Sequence, residues 1–258
     1  MDDSTEMTVA EVFLKALYDH GIEYIFANAG TDFAPIIEAL VTASQKGNPT
    51  PKFLTVPHEN VAISMAQGYY RIIGKPAGVM VHVTVGTANT ICGLMNSSRD
   101  NVPTLLMAGR TPLTETGNIG SRNVGIHWGQ ENFDQGGMVR EYVKWDYELR
   151  NEQPVDTLIG RALDIANSEP RGPVYLTLPR EVLGSKAKSP GDSPRSRSSG
   201  STVSIPDIST LERTSDLILK AEKPLIVSGK LGCREYAFDV LDAFATDFGL
   251  PVTQVDVP

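Results

Sequence analysis

Glu59 is the one acidic residue in the stretch FLTVPHENVAISMAQGYYR, Phe53 to Arg71. It falls where an extended run gives way to a helical one, and Ala62, Ser64, Ala66 and Gly68 follow it. A carboxylate in this place has two readings. One is a solvated acid in a first helical turn, where acids are common. The other is a group carried into a dry site, where a hydrogen bond to it is strong. The helix N-terminus favours its ionised form, and burial favours the protonated one. His82 opens the stretch HVTVGTAN. Histidine moves protons near neutral pH, and it can equally sit at a strand end with its ring satisfied by backbone. Thr31 places a hydroxyl after the turn NAG, where it either serves a site or caps the next helix.

These residues need elements to hold them. TVAEVFLKALYDHG opens with Thr8 and Glu11 in capping-box spacing, and Gly21 ends the helix. Periodicity then predicts a strand in IEYIFANAG, a helix over 32–44, a strand over 52–56 and a helix over 59–73. A buried strand over 77–85, a helix over 88–100 and a strand over 103–109 follow. Residues 122–148 read as a loop with a short helix. A helix over 155–168 and a strand over 172–179 close the unit. Strands alternating with helices make an α/β domain, a parallel sheet with helices on both faces and right-handed crossovers. The loops 26–32, 56–60 and 82–89 then lie at the carboxyl ends of strands, where such sheets open their ligand crevice.

The composition changes after residue 183. Residues 184–204 are rich in Ser, Pro, Gly and basic side chains and read as a flexible linker. Residues 205–258 read as helix, strand, helix and strand, an incomplete second α/β domain, since two strands do not make a stable parallel sheet.

With 258 residues, 41% apolar and 21% charged, the chain can bury a sizeable core. A net charge of -8 argues against a nucleic-acid binder. Cys92 and Cys233 lie far apart, which fits a reduced, cytoplasmic protein. The acidic start MDDSTEMTVAEV is not a secretory leader, and no apolar run reaches the ~18 residues of a membrane span. No GxGxxG follows the first strand, so a nicotinamide-binding domain fits poorly.

Five stretches, taken in order, resemble the thiamine-diphosphate-dependent 2-oxo-acid enzymes, the group containing acetolactate synthase, benzoylformate decarboxylase and pyruvate decarboxylase. They are GIEYIFANAGTD, HENVAISMAQGYYRIIGKPAGV, GTANTICGLMNSSRDNVPTLLMAG, GQENFD and RGPVYLTLPREVL. The resemblance covers residues 8 to 183, the pyrimidine-binding domain of that family. It resumes at KPLIVSGKLG, the first strand of the family's central domain.

The resemblance implies that Glu59 bonds the N1′ of the cofactor's aminopyrimidine. That contact favours the imino tautomer, whose nitrogen removes the C2 proton of the thiazolium. His82 matches the acid/base histidine of benzoylformate decarboxylase, and Thr31 matches its active-site serine. Gly86 and Asn89 match positions near the pyrimidine and the dimer contact. Gln130 matches a glutamine that lines the site from the partner subunit. Gly30 is the glycine kept from the family's entry turn, here FANAG, and is the position expected to need an unusual backbone angle. His58 caps its helix or faces the substrate, His127 and Trp128 beside Gln130 either belong to that loop's site or pack, and Met65, Tyr69 and Tyr70 are core or interface rather than cofactor contacts.

The family holds diphosphate and Mg²⁺ through a GDG followed some thirty residues on by Asn. No such pair occurs here, which implies a clipped enzyme or one subunit of a split one. The implied partners are a 2-oxo acid and either a homodimer or tetramer or a separate subunit carrying the diphosphate module, with no nucleic acid and no membrane. His82 favours decarboxylation over acetolactate-type carboligation, and the latter would add FAD. The competing class is a non-catalytic dimerisation or regulatory module.

Overall fold

The capping box at Thr8 forms. Its Oγ1 accepts the Glu11 N–H at 3.2 Å, and its own N–H reaches Glu11 Oε2 at 2.7 Å, so helix α1 starts at once and runs Val9–Asp19. The computed structural model describes residues 7–150, 154–187, 205–229, 231 and 236–255. They fall into two units, 1–201 and 202–258.

The first unit is built on six strands: β1 (Tyr24–Asn28), β2 (Lys52–Thr55), β3 (Gly78–Val81), β4 (Leu105–Arg110), β5 (Asp146–Glu148) and β6 (Val174–Pro179). Their order is β2-β1-β3-β4-β6-β5 and every pairing is parallel. Between them run α2 (Ala34–Lys46), α3 (Glu59–Ile73), α4 (Val83–Arg99), the short α5 (Ile126–Gly129), α6 (Val155–Asn167) and the short α7 (Arg180–Leu183). The central strands are buried on both faces, so their sequences are continuous apolar runs. The pleat still sorts them. Leu105 and Met107 join Phe13, Leu17, Ile36 and Ile159 on the α1/α2/α6 side. Leu106 and Ala108 join Ile63, Ala66 and Leu94 on the α3/α4 side. Each such leucine or isoleucine contributes about 1.5–3 kcal/mol by burial.

Three expectations are corrected. The strand expected over 77–85 ends at Val81, and α4 begins at Val83 rather than Ala88. The run Val81–Val85, β-branched except at His82, carries strand propensity, but tertiary packing overrides it. The chain turns at Val83, whose φ is 33°. The first turn of α4 then lies so near β3 that a Cβ on Gly86 would stand 2.9 Å from the Val81 Cβ. The irregular segment 122–148 contains, besides the expected short helix, a 3₁₀ turn at Gly136–Met138 and the edge strand β5. Three half-buried residues are too short a signal for periodicity. Finally, the start of the expected linker is tied to the unit. Val9 N–H donates to Ser185 O at 2.9 Å and Ala187 N–H to Met7 O at 2.8 Å. Residues 188–204 lie outside the described residues.

The second unit contains α8 (Ile208–Lys220), β7 (Ile226–Ser228), α9 (Ala237–Phe248) and β8 (Val252–Gln254), with β7 and β8 parallel. No residue of α8 or α9 is buried, and Leu217 and Phe238 are exposed. Among the described residues no helix is long and apolar enough to cross a membrane.

Candidate functional site

Strands β1 and β3 are neighbours, with Asn28 opposite Val81 at their carboxyl ends. From β1 the chain passes to α2 on one face of the sheet, and from β3 to α4 on the other. Adjacent strand ends whose connections diverge leave a crevice. Two side chains close on each other there. His82 Nδ1 stands 2.5 Å from Asp32 Oδ1. Asp32 lies in a 3₁₀ turn, Thr31–Phe33, and is only 4% exposed.

The backbone around this pair is fitted to it. A Cβ on Gly30 would overlap the His82 ring, and one on Gly109 would overlap the Asp32 carboxylate. Gly30 itself is extended, with φ -136° and ψ -166°. The expected unusual angle is therefore absent, and the glycine is required for space. Val83 N–H reaches Asp32 Oδ2 at 3.4 Å, and the Val83 carbonyl accepts the Thr87 hydroxyl at 2.8 Å. These bonds hold a β-branched residue at positive φ, a strain of about 1–3 kcal/mol of the kind found beside functional groups.

The hydrogen bond that the ring donates to Asp32 raises the His82 pKa above its ordinary value. Burial opposes it, and the charges of Asp32 and then Glu59 add to it. On the other side of the ring, Gln130 Nε2 lies 3.4 Å from His82 Nε2. With that amide nitrogen donating, the neutral ring carries its proton on Nδ1, toward Asp32. This tautomer is assigned from the hydrogen-bond network. The Gln130 carbonyl also accepts the Thr84 hydroxyl at 3.3 Å. Gln130 thus meets His82 within one chain.

Glu59 opens α3. Its neighbour His58 is the cap, with Nδ1 accepting the Asn60 N–H at 3.1 Å. Glu59 is 8% exposed, and its Oε2 accepts from Asn89 Nδ2 at 3.1 Å. Asn89 comes from α4. The two helices meet at Gly93, where a Cβ would overlap Ile63. Gln67 Nε2 secures that contact by donating to Gly93 O and to Ser97 Oγ, each at 2.7 Å. Ala62 and Ala66 are buried toward the sheet, while Ser64 and Gly68 face outward.

The structure therefore brings Glu59, Asn89, His82, Gly30 and Gln130 to one end of the sheet. Gly86 is a packing residue of α4. Thr31 is exposed, and α2 takes Phe33 as its cap, so the threonine hydroxyl caps neither. His127 is buried, and burial, then Arg180 and Arg122, holds its pKa below the ordinary value. Trp128 is exposed, with the Arg122 guanidinium 5.6 Å from its ring centre. Met65 is exposed, Tyr69 half-buried and Tyr70 buried. Asp32 was not anticipated. It sits in the FANAGTD loop, but its partner lies 50 positions on, and no spacing reports such a pair. Among the described residues, no group of three or more His, Cys, Asp and Glu side chains could hold a metal ion.

An open parallel sheet with a buried carboxylate and a carboxylate-paired histidine at its carboxyl end defines an α/β domain with a candidate ligand crevice. The family model described as thiamine pyrophosphate enzyme, N-terminal TPP binding domain, matches residues 7–138, and the chain belongs to that family. It is similar to the acetolactate synthase large subunit of Haemophilus influenzae, 27% identical over 96% of this chain and 41% of that protein. It is also similar to benzoylformate decarboxylase of Pseudomonas aeruginosa, 25% identical over 86% of this chain and 39% of that protein. In fold it matches a thiamine diphosphate-dependent 4-hydroxybenzoylformate decarboxylase of Rhodococcus jostii. The TM-score is 0.80 at 24% identity, over 98% of this chain and 45% of the other. The chain thus spans about two fifths of the length of these curated relatives.

Proposed function

We propose that this chain supplies the pyrimidine-binding, proton-managing half of a thiamine-diphosphate-dependent enzyme that acts on 2-oxo acids. The observation that carries the reading is Glu59, a buried carboxylate with one oxygen held by Asn89 and no other hydrogen bond among the described residues. Its other oxygen is an acceptor without a hydrogen-bond partner among those residues, which fits a protonated ring nitrogen. Thiamine diphosphate supplies the carbanion chemistry when bound.

The chain's own residues divide the remaining work. Asn89 and the close α3–α4 contact fix the direction of the Glu59 carboxylate. Glu59 holds a proton on the cofactor's pyrimidine. Asp32 orients the His82 ring, and His82 moves a proton at the substrate side. Gln130 holds the far nitrogen of that ring, and Gly30 keeps the space the ring needs.

A histidine poised in this way favours decarboxylation over carboligation, because protonation of a carbon requires a placed acid. An acetolactate-type activity would add FAD. The diphosphate and Mg²⁺ belong, on this reading, to the length of the relatives that this chain does not span, on the same polypeptide or on another subunit. The apolar side chains exposed on α3 and α4, among them Val61, Met65, Val85 and Met95, suit a twofold contact between copies.

The test is deuterium exchange at the cofactor's C2, followed by NMR with the diphosphate-binding module present. Glu59→Gln is expected to slow exchange by about 10²–10⁴-fold. Exchange at the wild-type rate in that variant would end the assignment.

A further inference from the structure

Gln130 reaches His82 from a long excursion, residues 111–131, that leaves the end of β4. Among the described residues the strap pairs with no strand of the sheet, yet its Gln130 end stands 3.4 Å from the His82 ring. The Thr84 hydroxyl meets its Gln130 end, and the hydrogen bonds that hold its earlier part come from two neighbouring residues at the end of β6.

Glu181, in the first turn of α7, is 8% exposed. Its Oε1 accepts the N–H of Leu113, that of Thr114 at 3.0 Å and the Thr114 hydroxyl at 3.4 Å. Its Oε2 is buried without a hydrogen-bond partner, so the carboxylate's hydrogen bonds are all given to the strap. Arg180 takes the other polarity. Its Nε donates to Gly120 O at 2.6 Å and its Nη2 to Ser121 O at 3.1 Å.

Inside the strap, Arg122 continues the chain of contacts. Its N–H donates to Thr114 O at 2.9 Å and its Nε to Pro112 O at 2.9 Å. Its Nη2 donates to Glu131 Oε1 at 2.7 Å, and Glu131 is the residue after Gln130. The Arg122 side chain is 6% exposed. An uninterrupted route of hydrogen bonds therefore runs from Glu181 through Thr114 and Arg122 to the residue beside Gln130, and Gln130 touches His82.

We propose that Glu181 is a positioning residue, a buried carboxylate that clamps the strap by its Leu113 and Thr114 amides and so sets Gln130 against the His82 ring. It touches neither the ring nor the crevice and acts wholly through the strap. This deepens the proposed function, because the clamp serves the proton-moving histidine, but the contact it controls exists without cofactor.

The experiment is ¹⁵N NMR of the His82 ring at one pH in the 258-residue chain, with no cofactor or substrate. Wild type, Glu181→Ala, Gln130→Ala and the double variant are compared, with hydrogen exchange read at Leu113 and Thr114. Glu181→Ala is expected to speed exchange at those two amides by about tenfold or more. It is expected to reproduce the Nε2 shift of Gln130→Ala and to leave the Asp32-facing Nδ1 signal in place. The double variant then shows no further change, since both substitutions break one route.

Two results overturn the proposal. An Nε2 signal unmoved by Glu181→Ala means that the contact is set without the clamp. A shift that adds to that of Gln130→Ala means that Glu181 acts on the ring by another path. If the alanine variant does not fold, Glu181→Gln keeps one acceptor and gives an intermediate Nε2 shift. A folded Glu181→Gln with faster Leu113 exchange and an unmoved Nε2 also sinks the idea. A thiamine-independent readout keeps this outcome separate from that of the function proposed above.

Discussion

His82 Nδ1 lies 2.5 Å from Asp32 Oδ1, a contact between two loops that leave neighbouring strands toward opposite faces of the sheet. The pair explains why the protein accepts a valine at φ 33° next to the histidine. The Asp32 carboxylate spans both groups, bonding the ring with one oxygen and the Val83 amide with the other.

Removing that carboxylate gives a signed prediction. Asp32 is the largest cause of the raised His82 pKa, so Asp32→Asn is expected to lower it, as read by NMR titration of the ring. A group whose folded pKa is raised lends stability that is complete below the unfolded value, 6.5 here, and is lost as pH rises through the folded pKa. The stability gap between wild type and Asp32→Asn therefore is widest below 6.5 and narrows above the raised pKa. Denaturant unfolding across pH measures it, and a gap that widens with rising pH contradicts the pairing.

Gly30→Ala tests the space beneath the ring. The new methyl overlaps His82, so either the ring moves off Asp32 or β1 yields. Overpacking of this kind costs about 1–3 kcal/mol. Thermal unfolding is expected to show the loss, and the His82 resonances are expected to shift with it. Because the Gly30 backbone is extended, the cost comes from the contact and not from φ.

Gly93→Ala acts on Glu59 from a distance. Its methyl overlaps Ile63 and presses α3 away from α4. The expected outcome is a loss of about 1–3 kcal/mol and weaker C2 exchange, because the Asn89–Glu59 bond spans the same helix pair. Full exchange activity in a destabilised Gly93→Ala chain would show that the helix spacing does not govern the carboxylate.

Met65→Asp addresses association. Met65 is 40% exposed on α3, and a charge there has no cost in the monomer but is unpaired in an apolar contact. If α3 makes the proposed contact, sedimentation velocity is expected to show wild type associating and the variant as monomer at the same concentration; two equal profiles contradict the contact.

Much of the frame was legible in the sequence. The Thr8–Glu11 spacing announced α1. The alternation of apolar strands and amphipathic helices announced a parallel sheet covered on both faces, because period 2 and period 3.6 are imposed by backbone geometry alone. Glu59, His82, Asn89 and Gln130, singled out by the order of their motifs, come to one end of the sheet, where Asn89 meets Glu59 and Gln130 meets His82. The start of α4 was misread, since Val81–Val85 carries strand propensity and only packing of Gly86 on Val81 turns it into helix. The edge strand β5 was missed because three residues have no readable period.

By itself, then, the sequence determined which residue types follow the strands β1 and β2, where apolar runs give way to the loops 26–32 and 56–60. Tertiary structure alone decided what those residues do to one another. Asp32 reaches His82, Asn89 reaches Glu59 and Glu181 reaches the strap carrying Gln130 over separations of 50, 30 and 67–68 positions. Contacts of that range are set by strand order and by the close approaches that glycine permits at positions 30, 93 and 109. Neither leaves a mark in local spacing, because each depends on which strands become neighbours only when the sheet has formed.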